Sequence, residues 1–189
     1  MAVGARTLGS HDEFRRRTGL ADVLPAVGEI GDRTSSHAVV AAAIRALGGL
    51  DVLVNSAGVF AEVPIAEVTE EHWDGTLSTN LGGTFFCAQA ALPALIATAG
   101  NFVNVASDAG LIGYPLSTAY SAAKGGVVNL TRAMAVELAR QVRVNCVCPG
   151  NVETDMILAA AAILYLASAE AASTTGAALP VDGGGTAGF

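Results

Sequence analysis

Three short apolar runs, LDVLVNSAG (50–58), NFVNVAS (101–107) and VRVNCVCPG (142–150), share one form: a nearly unbroken block of Val, Leu and Asn that stops at small or polar residues. A strand wetted on one face alternates apolar with polar, whereas an unbroken run is expected where both faces are covered. A fourth run, AALPVDGG (177–184), ends in the same way. Between the runs lie helical stretches. Trp73, Leu77, Leu81, Phe85, Ala88 and Leu92 recur at spacings of three and four, which predicts one apolar stripe along a long helix. Residues 119–140 predict a second helix, apolar on nearly every side through Val127, Val128, Leu130, Met134, Val136 and Leu138, and so one covered by the sheet and by another subunit. Strands alternating with helices predict an α/β chain, a single domain over 1–189 with a doubly wound parallel sheet between two helix layers. Ligands of such a sheet bind at the carboxyl ends of its strands.

Those ends carry the polar chemistry. Asn55, Ala57 and Gly58 follow one run, Ser107 closes the next, and Pro149 and Gly150 close the third. Thirteen residues after Ser107, the segment AYSAAKGG places Tyr120 and Lys124 at i and i+4, on one face of the predicted helix. A phenol titrates near pH 10, too high for a base at neutrality, and a neighbouring ammonium is expected to lower it. A serine hydroxyl at hand can hold a substrate oxygen while the tyrosine gives or takes the proton. Ala122, Ala123, Gly125 and Gly126 leave room for a ligand against the pair.

Composition narrows the function classes. Charged residues are 14% of the chain, against roughly 25% in an average soluble domain. Much of the surface is therefore apolar or small, which fits burial against a partner subunit and equally an alanine-rich composition. A net charge of −7 offers no basic patch to release counterions from a phosphate backbone, so nucleic acid is not an expected partner. Cys87, Cys146 and Cys148 give no disulfide framework; Cys146 and Cys148 point to one face of a buried strand as structural thiols, with no histidine nearby to complete a zinc site. His11, His37 and His72 form no cluster, and no metal is expected. The start MAVGARTLGSHDEF lacks an apolar segment behind a basic one, and the longest uncharged apolar run, Met156 to Ala169, is too short to span a bilayer. A soluble, cytoplasmic protein is expected.

Taken together, these residues resemble the classical short-chain dehydrogenases/reductases, enzymes on a Rossmann-like fold that move a hydride between NAD(P) and a carbonyl or alcohol. NSAG at 55–58 is similar to the family's N-N-A-G turn, with Ser56 in place of the second Asn. Asn80 in TNLGGTFF matches the helix asparagine, Ser107 the serine, Tyr120 and Lys124 the Y-x-x-x-K pair, PGNVETDM the P-G-x-V-x-T stretch, and VDGGG the carboxyl-terminal tag. The resemblance implies that Tyr120 is the general acid/base, that Ser107 binds the substrate oxygen, and that Lys124 lowers the tyrosine pKa and holds the nicotinamide ribose. It implies that Asn80 sits where loosened backbone holds a water relaying protons to the lysine. Asn55, Ala57 and Gly58 would pack on the adenosine side, with Gly58 letting backbone approach the cofactor; Pro149, Gly150, Val152 and Thr154 would hold the nicotinamide end. It also implies a homo-oligomer, a dimer or tetramer. The alternative is a non-catalytic, dehydrogenase-like subunit that dimerises and binds no dinucleotide.

The departures from the family pattern are as informative. The family opens on a strand and a T-G-x-x-x-G-x-G turn that binds the pyrophosphate, whereas Gly4 and Gly9 of MAVGARTLG have the wrong spacing. Matching VGAR to the end of the family's second strand makes Arg6 a candidate for a 2′-phosphate, hence NADP with NAD as the alternative, and makes Asp32 a candidate adenine contact. The central strand and its glycine turn then fall outside the given residues; the alternatives are that MAVGA slides into the central slot, or that the chain is a degenerate relative. Ile157 runs straight into the next helix, where the family carries a longer segment over the substrate. A 3-oxoacyl thioester, a polyol and a cyclic alcohol all fit as substrates, with an edge to the first, although no Lys/Arg cluster suits an acidic carrier protein.

Overall fold

The computed structural model describes residues 1–19, 22–150 and 155–188. In chain order the elements are β1 (Ala2–Ala5), α1 (Leu8–Thr18), β2 (Leu24–Val27), α2 (Arg33–Leu47), β3 (Val52–Asn55), α3 (Glu70–Leu77), α4 (Gly83–Thr98), β4 (Asn101–Val105), α5 (Thr118–Glu137), β5 (Arg143–Pro149), α6 (Asp155–Ala167) and β6 (Ala178–Val181). Every strand pairing is parallel, and the four apolar runs of the sequence form one sheet in the order β3-β4-β5-β6. This is the α/β architecture expected, with its carboxyl ends gathered along one edge.

The sheet is divided, however. β1 pairs with β2 as a separate two-stranded sheet, and among the described residues no ladder joins it to β3. MAVGA therefore does not fill a central slot beside β3. The pair is held instead by α2, which packs on β1, β2 and α4 at once. Local signals set that helix: the Asp32 carboxylate caps its start by accepting from Ser35 N at 2.7 Å, and Gly48, at φ 76°, ends it in a left-handed turn.

Burial follows the sheet order. β4 and β5 are buried along almost their whole length, whereas among the described residues β3 has one strand neighbour and Val54 is 40% exposed, so the expectation that all three runs are covered on both faces fails at β3. Asparagines inside the strands form a polar ladder: Asn55 Nδ2 donates to Asn104 Oδ1 at 2.9 Å, and Asn104 Nδ2 donates to Thr131 Oγ1 of α5 at 2.9 Å. These two amides are thus paired with each other and with Thr131, which offsets the cost of placing them inside the sheet, whereas Asn101 Oδ1 of β4 is buried with no partner among the described residues.

The long helix also differs from its periodic signature. Residues 70–98 are helical throughout, but Ser78–Gly82 form a π-type turn between α3 and α4. The wider turn shifts the phase of everything after it. The buried face accordingly runs through Thr76, Asn80, Thr84, Cys87, Ala91 and Leu95, while Trp73 and Phe85 of the predicted stripe are exposed. By length and hydropathy this helix is long enough to cross a bilayer; here its buried face packs on α2, β3 and β4. On α5, Val127 and Val128 are buried and Val136 is 81% exposed.

Phe102 of β4 is fully buried in the cluster of Leu95, Ala91, Val144 and Leu138. Phe102→Ala should lower the unfolding free energy by about 3–5 kcal/mol, from lost transfer and the cavity left behind, read from the urea midpoint at unchanged denaturant slope.

Candidate active site

The edge where the strands end assembles the site. β4 stops at Val105, and Ser107 caps a single 3-10 turn, Asp108–Gly110, accepting from Ala109 N at 3.2 Å. The chain then returns to start α5 at Thr118. Gly110 lies against the backbone of Lys124 and Gly125, where an added Cβ would stand 2.7 Å from the Lys124 carbonyl. That close approach brings the β4 end and the first turns of α5 together.

Lys124 is buried, 4% exposed, and its Nζ donates to the Val105 carbonyl at 2.7 Å. Burial lowers its pKa from 10.5 to about 8. Its Nζ lies 5.6 Å from the centre of the Tyr120 ring, and the ring of Phe60 meets Tyr120 edge-on at 4.9 Å. The Tyr120 phenol is pushed up, first by burial and further by the Asp108 carboxylate, while the adjacent Ser107 hydroxyl works against the shift. The expectation of a phenol lowered by its lysine is thereby corrected: desolvation dominates, and what lowering there is comes from the Ser107 hydroxyl rather than from Lys124.

Asn80 is fully buried in the π-type turn, not on an outer helix face. Its Oδ1 accepts from Val59 N at 3.0 Å and its Nδ2 donates to Val59 O at 2.9 Å, so one amide side chain fixes both backbone groups of the segment after β3. Gly58 stands beside this clamp, and a Cβ there would lie 2.6 Å from Asn80 Oδ1 and 3.6 Å from Lys124 Nζ. The glycine is therefore required by close packing within the site, a reason different from the expected approach of backbone to a cofactor.

The remaining candidates are spread along the same edge or beyond it. Asn55 is tied into the strand ladder, and Ala57 is exposed. Pro149 ends β5, and Gly150 N donates to Val181 O at 3.1 Å, with so little space that an added Cβ would lie 2.7 Å from Asp182 Cβ. Arg6 is exposed just after β1, and Asp32 is exposed at the α2 cap, on the two-stranded side. Val152 and Thr154 lie outside the described residues. Sequence reading passed over Val59 and Phe60 as site components; Asp108 was legible only as a polar side chain, with Tyr114, in the pocket-lining loop after Ser107, without a role of its own. Cys146 and Cys148 are buried, and Cys148 stands near Lys124. No group of three metal-binding side chains occurs among the described residues.

A nicotinamide nucleotide fits part of this edge. Among the described residues Lys124 donates to Val105 O alone, which leaves two N–H donors of a buried ammonium for a ribose diol. No glycine-rich turn of the pyrophosphate-binding spacing occurs in the sequence, so the fit is to the nicotinamide–ribose half.

The fold and this edge define an oxidoreductase of the nicotinamide-dependent class. The chain belongs to the short chain dehydrogenase family, whose model matches residues 9–162. It is 38% identical over 180 residues to trans-4-hydroxycyclohexanecarboxylate dehydrogenase of Sinomonas cyclohexanicum, the match covering 85% of this chain and 70% of that protein. A glucose/ribitol dehydrogenase structure from Brucella melitensis superposes with a TM-score of 0.88 at 32% identity, over 97% of this chain and 84% of the other. The structure of ElxO with NADP bound gives a TM-score of 0.88 at 25% identity, over 97% and 87% of the two chains.

The buried lysine has a measurable signature. Its folded pKa, about 8, lies below the 10.5 of a free lysine, so the unfolded chain binds the extra proton and stability from this residue rises with pH across that window. Relative to Lys124→Met, the wild-type protein should gain up to about 3 kcal/mol between pH 8 and 10.5. Urea unfolding of both proteins at several pH values reads the difference.

Proposed function

We propose that Tyr120 is the proton donor and acceptor in the interconversion of a carbonyl and a secondary alcohol, with NADP as the preferred cofactor and NAD as the alternative. The observation that carries this reading is the convergence of the Tyr120 ring, the Ser107 hydroxyl and the Lys124 ammonium at the β4 edge. A nicotinamide held there by Lys124 would supply or take the hydride at the substrate carbon. In the reducing direction Tyr120 gives its phenolic proton to the oxygen that becomes the alcohol, and Ser107 holds that oxygen. The upward-shifted phenol favours the protonated form, and so supports donation at neutral pH.

Lys124 holds the ribose and places its charge against the tyrosine ring. Asn80 acts on the backbone at Val59, and through it on Asn55, Ala57 and Gly58, which line the approach to the adenosine side. Gly150 lies at the nicotinamide end, and Arg6, exposed after β1, suits a 2′-phosphate. The exposed Trp73, Phe85 and Val136 support a homo-oligomer, a tetramer built through the two long helices; a cytoplasmic location is part of the same proposal. The names of the relatives support a secondary alcohol on a ring or a polyol as substrate.

Fluorescence titration with NADPH and NADH, followed by a screen of cyclic alcohols, polyols and 3-oxoacyl thioesters, tests the reading; a folded protein that binds neither nucleotide overturns it. Tyr120→Phe should cut turnover by about 10²–10⁴-fold and leave nucleotide affinity nearly intact. In the same titration Arg6→Ala should weaken NADPH more than NADH.

A further inference from the structure

Asp108 is the buried carboxylate that the proposed reaction does not use. It is 5% exposed, and both of its oxygens are engaged. Oδ1 accepts from the Ser107 hydroxyl at 2.9 Å and from Ala109 N at 2.7 Å, while Oδ2 accepts from the Tyr114 hydroxyl at 2.6 Å. An added Cβ on Gly150 would lie 3.3 Å from the same Oδ2, so the carboxylate is enclosed from the β5 side as well. A serine hydroxyl has one hydrogen. Here that hydrogen is donated to Asp108 Oδ1, in competition with donation toward the Tyr120 oxygen and toward the space where a substrate oxygen would sit.

We propose that Asp108 is a positioning residue of this site: its carboxylate draws the Ser107 hydroxyl hydrogen away from the substrate oxygen, and Tyr114 sets how firmly it does so. Hydrogen bonds to a charged acceptor are stronger than those to a neutral carbonyl. Ser107 must therefore leave Asp108 to donate to a carbonyl oxygen, and the Tyr114 hydroxyl eases that exchange by sharing the negative charge. The inference rests on the proposed roles of Ser107 and Tyr120.

The same charge acts on the tyrosine. The charged group acting on the Tyr120 hydroxyl is Asp108 from the β4 end, and Lys124 on its own helix faces the tyrosine ring; behind them stand Cys148 of β5 near Lys124, and Tyr114 bonded to Asp108 with Asp182 near it. Asp108→Asn keeps the shape and removes the charge, so ionisation of Tyr120 becomes easier. Tyr114→Phe removes the donor that offsets the charge, so ionisation becomes harder.

The test is a spectrophotometric titration of phenolate absorbance in the folded protein without nucleotide. The chain has three tyrosines, and Tyr120→Phe in each background identifies the Tyr120 component. The midpoint should move to lower pH in Asp108→Asn and to higher pH in Tyr114→Phe. A residue with only a packing role would move neither midpoint in this opposed way. An unchanged or raised midpoint in Asp108→Asn overturns the proposal; if that variant does not fold, an unchanged or lowered midpoint in Tyr114→Phe does so. Because this readout needs no turnover, loss of the proposed function and loss of the Asp108 role are separate results.

Discussion

The hydrogen bond from the buried Lys124 ammonium to the Val105 carbonyl joins the two elements on which the site depends. Taking a cation out of water is costly unless it is bonded, and the carbonyl at the end of β4 provides the one protein acceptor this lysine has among the described residues. That bond fixes the first turns of α5 against the strand end. Tyr120, one turn earlier on the same face, is thereby set beside Ser107, and Gly110 permits the backbone approach that makes the reach possible. The lowered lysine pKa is the electrostatic trace of this arrangement.

Much of the fold was legible because buried parallel strands write themselves as unbroken apolar runs. All four runs became neighbours in one sheet. What the runs did not reveal was coverage: Val54 of β3 belongs to as apolar a segment as Val103 of β4, yet only the latter is enclosed, since among the described residues β3 has a strand on one side alone. The pattern of a strand reports what it is suited to, and its neighbours decide what it receives. The long helix failed differently. Its buried face uses Thr76, Asn80 and Thr84, whose polar groups are internally bonded or too small to count as apolar in a periodicity, so the eye follows Trp73 and Phe85 instead.

At the site, Ser107, Tyr120 and Lys124 were legible from spacing and from the strand that ends before them. The direction of the phenol shift was not. Spacing displays the cation but hides the burial, which dominates over the lowering by Ser107, with the Asp108 carboxylate adding a smaller upward push. Asn80 shows the same limit: as a residue it reads as a surface amide, and only the fold reveals that its two amide atoms meet both backbone groups of Val59.

The π-type turn at Ser78–Gly82 carries one consequence for how this chain tolerates change. An ordinary helix advances by about 100° with each residue, so the surplus backbone in that turn acts as a fixed angular offset between the two halves of the rod. Excising a single position there would restore regular winding and rotate the distal half by that angle. Leu95 and Cys87 would swing toward water as Asn80 lost its grip on Val59. Length in this segment is therefore constrained as tightly as residue identity, and the irregularity is what lets one rod serve the hydrophobic interior and the reaction edge together.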